Sequence, residues 1–148
     1  MRLLSILLFS SLLLFGYQKG EVLGSDMVKE LGLKNNKIYV IDFFASWCIS
    51  CKREMPLLIK LNSDIDHTKV SFIGVDVDEE INDGKEFQKE LNINFKVIDD
   101  PNGKIVGKFN PAGVPAIYII KNGKIVAVEI GAKDHIDKII QKHIKEVQ

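Results

Sequence analysis

Two cysteines occur in the 148-residue sequence, and only two residues separate them: Cys48-Ile49-Ser50-Cys51. Thiols at that spacing can close and reopen a disulfide, because one helical turn brings the second sulfur to the first. The residues before the pair read as a buried strand and those after it as a helix, so the pair opens a helix. Unpaired N–H groups and the positive end of the helix dipole gather at that point. A thiol placed there ionises readily, with pKa values of roughly 3.5–7.5 in such motifs. Cys48 is the more exposed candidate nucleophile, and Cys51, one turn inward, is the candidate resolving thiol. Attack by Cys48 on a substrate disulfide forms a mixed disulfide, which Cys51 then resolves.

The same two thiols admit other uses. A closed zinc site needs four ligands, and His67, His135 and His143 show no knuckle spacing. A purely structural bridge across so short a loop constrains the unfolded chain little. A copper- or haem-handling protein would use the thiols as ligands, but no histidine clearly completes such a site. Composition narrows the rest. The 20 Lys+Arg match 20 Asp+Glu, without the basic excess that a nucleic-acid partner requires. With 46% hydrophobic residues the chain can build a core, which excludes disorder. Two cysteines are too few for a disulfide scaffold, and the length suits one domain.

Other residues around the pair carry candidate roles. Asp42 stands in an otherwise apolar strand, six residues before Cys48; burial of a lone carboxylate is costly and raises its pKa. The competing placement is an exposed edge strand. Glu54 is one turn beyond Cys51 and either faces the active site or lies on a solvated helix face. Pro56 leaves a helical carbonyl unpaired and bends the helix. Trp47, beside the motif, is either a rim residue at a docking surface or a core residue. Lys52 and Arg53 read as solvated, with Lys52, four residues after Cys48, also spaced to favour its thiolate.

The elements that must position these residues alternate in type. Residues 38–45 and 70–77 read as buried strands rich in β-branched and aromatic residues. Residues 47–66 and 79–91 read as helices. A short strand over 95–98 precedes the turn signal Asp99-Asp100-Pro101-Asn102-Gly103, and a short helix follows over 105–109. Residues 116–120 and 124–130 form a hairpin about Asn122-Gly123 in a type I′ turn. Residues 134–147 form an amphipathic terminal helix with Ile136, Ile139, Ile140 and Ile144 on one face. A further short helix is expected over 25–31, capped by Ser25 or Asp26 and ended by Gly32. The pattern gives an α/β sandwich with a mixed central sheet.

At the N-terminus, Arg2 precedes an uncharged, mostly apolar run over residues 3–17. This is the layout of an export signal, shorter than a comfortable bilayer span. Gly16 could precede a cut, yet Leu14 occupies the position two earlier, so the segment is either removed or kept as an anchor. The expected organisation is a signal peptide or uncleaved anchor over 1–17, an N-terminal extension over 18–37 and one folded domain over 38–148.

The stretch Ile41-Asp42-Phe43-Phe44-Ala45-Ser46-Trp47-Cys48-Ile49-Ser50-Cys51-Lys52 resembles the active-site segment of thioredoxins. Pro56 matches the proline of that family's active-site helix. Gly113-Val114-Pro115-Ala116 resembles its cis-proline loop. Lys121-Asn122-Gly123-Lys124 and Gly131 resemble its last hairpin and the glycine after it. Together with the export signal and Glu54, the extra segment over 78–111 is similar to the helix–strand insertion of TlpA-like and ResA-like thiol–disulfide oxidoreductases.

The resemblance implies a thioredoxin fold with that insertion before the cis-proline loop. It implies a Cys48–Cys51 redox disulfide, proton transfer between Asp42 and Cys51, and substrate contact by Val114, cis-Pro115 and Trp47. In the family a lysine often stands beside the buried acid; here the corresponding residues are Ile73-Gly74-Val75, so Asp42 lacks that partner. The expected function is periplasmic reduction of disulfides in exported proteins, apocytochrome c among the candidates. The alternatives are an oxidant or isomerase, or a metal-handling protein. No bound cofactor or metal is expected, because the electrons reside on the two sulfurs. A membrane thiol electron donor, no nucleic acid and a monomeric state complete the expectations.

Overall fold

The computed structural model describes residues 16–148. Helix α1 (Ser25–Leu31) is followed by β1 (Ile38–Phe44), α2 (Ile49–Asp64), β2 (Val70–Asp76), α3 (Ile81–Glu90), β3 (Lys96–Asp99), α4 (Lys104–Phe109), β4 (Ala116–Lys121), β5 (Lys124–Ile130) and α5 (Ile136–Val147). The five strands form one sheet in the order β3-β2-β1-β4-β5. β1 runs parallel to β2 and antiparallel to β4. The sheet is therefore mixed, as the alternation of elements predicts.

β1 lies at the centre, and all seven of its residues are buried. Successive side chains point to opposite faces. Tyr39, Ile41 and Phe43 face a layer formed with Met27 and Leu31 of α1, Ile105 and Phe109 of α4, and Tyr118. Ile38 and Val40 face Leu58 and Leu61 of α2 and Ile136, Ile140 and Ile144 of α5. The first layer is keyed by aromatic rings: Phe43, Phe109 and Tyr118 meet at centroid distances of 4.9, 4.8 and 5.7 Å. Tilted and edge-on pairs of this kind add about 0.5–1.5 kcal/mol each beyond the area they bury.

Several local expectations shift. α1 begins after Gly24, with no side-chain cap, whereas Gly32 ends it in the left-handed region as expected. α2 runs unbroken through Pro56. The hairpin turn has positive φ at both Asn122 and Gly123, the geometry of a type I′ turn. The extension before β1 does not idle: Val22 bridges to Lys124, and Leu23 N–H donates to the Gly123 carbonyl at 2.8 Å. It thus pairs with the first residues of the β5 edge and brings α1 across the sheet. The export signal or anchor falls on residues outside those described, apart from Gly16 and Tyr17. Tyr17 N–H donates to the Phe109 carbonyl at 3.0 Å. No helix among the described residues is long and apolar enough to cross a membrane.

Candidate active site

The site forms where β1 ends and α2 begins. Cys48 is the N-cap of α2, with extended backbone, and its sulfur accepts the Cys51 N–H at 3.1 Å. The sulfur therefore occupies the place of a capping oxygen, where orphan helix N–H groups point. Cys48 and Cys51 are joined as a disulfide across 5.2 Å between their Cα atoms. Cys51 is 2% exposed and Cys48 6%. The pair is flanked by apolar residues that project into solvent: Trp47 is 67% exposed and Ile49 78%. Trp47 is therefore not a core residue.

Val114-Pro115 is a cis peptide. Pro115 is buried, and half-buried Val114 packs against the cluster that contains both cysteines, Phe44 and Met55. The Pro115 carbonyl accepts the Gly131 N–H at 2.8 Å, which ties this loop to the residue following β5.

Two carboxyl groups are buried in the elements that flank the motif, Asp42 on β1 and Glu54 on α2. Asp42 shares its face of β1 with Val40 and Phe44, which pack against α2, so its side chain turns to the α2 side of the sheet. It is buried, and its Oδ1 has no hydrogen-bond partner among the described residues. Across the parallel pair it faces Gly74, which supplies no side chain. A Cβ at Gly74 would lie 2.7 Å from the Phe44 ring, with Phe95 and Val97 at 3.3 Å, so the packing leaves no room for a lysine there. Burial pushes the Asp42 carboxyl up to about 8, and the negative charge of Glu54 adds to the rise. At neutral pH Asp42 thus carries a proton.

Glu54 is buried against the protein, not laid on a solvated helix face. Its Oε1 accepts the Lys133 N–H at 2.5 Å. Burial raises its pKa, opposed by that hydrogen bond and by the positive charges of Arg53 and Lys133. A cleft of about 550 Å³ opens beside it, lined by Ser50, Arg53, Glu54, Leu57, Lys133 and His135. Lys52, by contrast, turns away from Cys48 and pairs with Glu90 of α3 at 2.7 Å. Both partners are solvated, and exposed pairs of this kind contribute little.

A second group of acids borders the motif and was not singled out in the sequence. Asp78 accepts both the Ser46 N–H and the Ser46 hydroxyl, each at 2.7 Å. Its own N–H donates to Asp76 Oδ1 at 3.0 Å, and Gln88 of α3 donates to Asp76 Oδ2 at 2.8 Å. Burial pushes the Asp76 carboxyl up to about 6, with Asp78 contributing to the rise. The available signal is the pair of acids that ends the apolar run Phe72-Ile73-Gly74-Val75-Asp76-Val77-Asp78. No group of three or more His, Cys, Asp or Glu among the described residues is placed to hold a metal ion.

Comparison with known proteins agrees with this geometry. Residues 22–128 match the AhpC/TSA family. A thiol-disulfide oxidoreductase ResA of Bacillus cereus (strain ZK / E33L) is 31% identical over 119 residues, covering 77% of this chain and 69% of that protein. A thioredoxin of Chlorobaculum thiosulfatiphilum is 31% identical over 114 residues, covering 76% of this chain and 84% of that protein. Among solved structures, a putative thiol:disulfide interchange protein DsbE from Chlorobium tepidum superposes with a TM-score of 0.75 at 20% identity, over 88% of this chain and 98% of that one.

Proposed function

The chain belongs to the AhpC/TSA family and is a thiol–disulfide oxidoreductase of the ResA type; from that premise we propose that it works as a reductant of disulfides in exported proteins. The observation that carries the direction is the pair of buried carboxyls, Asp42 and Glu54, on the strand and helix that flank the motif. A strongly oxidising dithiol is one whose reduced form is stabilised. Here Asp42 stands on the strand that leads into the motif and Glu54 on α2, three residues after Cys51, and either one, when ionised, opposes a thiolate nearby. The lysine nearest to Cys48 along the helix is engaged by Glu90. The reduced form therefore receives little electrostatic help beyond the helix N-terminus, and electrons leave it readily.

In this reading Cys48 is the attacking thiol and Cys51 the resolving thiol. Asp42, in its ionised form, takes the proton that Cys51 loses in the resolving step and returns it when the dithiol is regenerated; burial keeps that form a minority at neutral pH. Burial, aided by the charge of Glu54, keeps Asp42 largely protonated, and the bond of Glu54 to the 131–135 loop fixes one wall of the adjacent cleft. Trp47, Val114 and Pro115 receive the substrate polypeptide: the indole offers apolar area, and the loop offers backbone groups. The apolar segment over 3–17 supports a site of action outside the cytoplasm, in the periplasm, as a soluble protein or tethered by its N-terminus. Apocytochrome c fits as a substrate class, because its cysteines must be reduced before haem attaches. A membrane thiol protein supplies the electron pair that regenerates the dithiol. The chain acts as a monomer and uses no cofactor besides its own sulfurs.

The test is electron transfer in a defined direction. Protein reduced with dithiothreitol and freed of it is mixed with a disulfide-bonded polypeptide, and the product thiols are counted. The expected result is one substrate disulfide reduced per protein, with Cys48–Cys51 recovered as a disulfide. Net oxidation of a reduced polypeptide by the disulfide form, with no transfer in the other direction, would contradict the reductant role. Tight stoichiometric copper binding without disulfide reduction would assign the thiols to metal handling instead.

A further inference from the structure

We propose that Asp78 is a positioning residue for the attacking thiol, acting through Ser46: by gripping that residue at two points it fixes the turn that presents Cys48 as the cap of α2. The proposal rests on the reading of Cys48 as the nucleophile.

Only Ala45, Ser46 and Trp47 lie between the last residue of β1 and the cysteine that caps α2. Three residues with no regular structure must set both the position of the sulfur and the direction of the first N–H groups. The middle one is held twice. Both oxygens of the buried Asp78 carboxylate are used on it, one on the Ser46 N–H and one on its hydroxyl, each at 2.7 Å. Charge-assisted bonds of this length are about twice as strong as neutral ones. The grip is closed on both sides. The Val77 N–H donates to the Phe44 carbonyl at 2.9 Å, just before the turn, and the Cys48 N–H donates to the Ala45 carbonyl at 3.2 Å, just after it.

The clamp is itself held from α3. The Asp78 N–H is bound by Asp76, whose other oxygen takes the Gln88 amide. Gly84 makes room for this arrangement, because a Cβ there would lie 2.3 Å from Asp76 Oδ2. Gln88 also donates to Asp99 at 3.1 Å, so the segment inserted before the cis-proline loop reaches the active-site turn through Gln88, Asp76, Asp78 and Ser46. This gives α3 a task in the chemistry that its packing alone does not require.

Geometry and charge predict opposite signs, which makes the proposal sharp. If Asp78 acted only as a negative charge near the motif, its neutralisation would favour the thiolate. If it positions the turn, neutralisation loosens the cap, and the helix N–H groups stabilise the thiolate less. Asp78→Asn keeps one acceptor but turns an NH₂ towards the other Ser46 donor. Ser46→Ala removes the hydroxyl and leaves every backbone bond in place.

The experiment measures, in the reduced full chain, the pH dependence of Cys48 alkylation and the rate of Cys48 attack on oxidised glutathione. Alkylation is assigned by mass spectrometry, and folding is checked by circular dichroism. Asp78→Asn should lower the thiolate equilibrium about tenfold, the worth of one hydrogen bond to a charged group, and slow attack at neutral pH. Ser46→Ala should change both quantities in the same direction by about threefold. The double variant should go no further than Asp78→Asn, because both changes break one contact. A folded Asp78→Asn with an unchanged or lower Cys48 pKa and an unchanged rate overturns the clamp. If Asp78→Asn fails to fold, an unaltered pKa and rate in Ser46→Ala overturn it. If Cys48 of the unaltered chain neither alkylates as a thiolate nor attacks, the nucleophile assignment falls first and the clamp with it.

Discussion

Replacing Cys48 with serine should abolish disulfide exchange, by about 10³-fold or more, whereas Cys51→Ser should stop the reaction halfway with substrate still attached. The asymmetry follows from where the two sulfurs sit. Cys48 caps α2 between exposed Trp47 and Ile49, and the helix N–H groups lower the cost of its thiolate. Its sulfur attacks the substrate disulfide, one substrate sulfur leaves as a thiol, and a Cys48–substrate bond forms. Cys51 then gives up its proton and attacks the Cys48 sulfur. The second substrate thiol leaves, and the electron pair that held the protein as a dithiol now resides on the substrate. Serine at 48 has no nucleophile of comparable strength. Serine at 51 leaves the first step intact and removes the second. Non-reducing electrophoresis with mass spectrometry should therefore show a stable covalent adduct through Cys48 in Cys51→Ser and none in Cys48→Ser. Full turnover by Cys51→Ser would show that the two-thiol cycle is wrong.

Asp42→Asn should have two large effects of opposite sense: a more stable fold and a slower resolving step. The stability effect comes from burial. The carboxyl moves from 3.8 in the unfolded chain to about 8 in the fold, so between those values the folded chain binds more protons than the unfolded one. Stability contributed by this site is therefore lost as pH rises from about 4 to about 8. Asparagine does not titrate, so the gain from the substitution grows across that window and levels off above it. At pH 7 the window is about three pKa units deep, which corresponds to about 4 kcal/mol. Urea unfolding of the disulfide form at pH 5, 7 and 8.5 reads this directly; a gain that does not change with pH would contradict the assignment.

The kinetic effect comes from proton transfer. The resolving step needs a base for the Cys51 proton, a role that the ionised fraction of Asp42 fills and that grows as pH rises towards about 8; loss of such a group costs about 10²-fold or more. Attack by Cys48 does not use Asp42 and should change much less. Equal slowing of both steps would count against the proton-transfer role. The two effects together describe a group retained for the reaction at the expense of the fold.

Most of what places the chemistry was legible from local patterns. The apolar run before Cys48, the thiol spacing and the alternating runs around Asn122-Gly123 each depend on residues close in sequence, and the corresponding elements form within a few residues of expectation. The cis state of Val114-Pro115 followed from resemblance, because local chemistry favours trans. What stayed hidden depends on contacts between distant segments. The sequence left Glu54 equally suited to a wet or a dry helix face; the 131–135 loop decides it, through a backbone N–H that no periodicity reveals. Lys52 is solvated, as its position on the helix suggests, but its pairing with Glu90 of α3, 38 residues away, is a contact no local pattern reveals. Asp78 is 32 residues from Ser46, and a hydrophilic residue at a strand end reads as solvated until the partner is known. The absent lysine was visible in Ile73-Gly74-Val75, but the reason for it, a ring and two side chains crowding Gly74, is a property of packing.

The central claim is that Cys48 and Cys51 form a reducing couple, poised by buried acids and not by cations. Its reduction potential tests this most directly. Trp47, the single tryptophan, stands beside Cys48 and serves as a fluorescence reporter while the protein equilibrates with dithiothreitol buffers of known poise. A potential near the thioredoxin value, about −270 mV, is the predicted result; a potential near about −120 mV, the region of a dedicated oxidant, would contradict it.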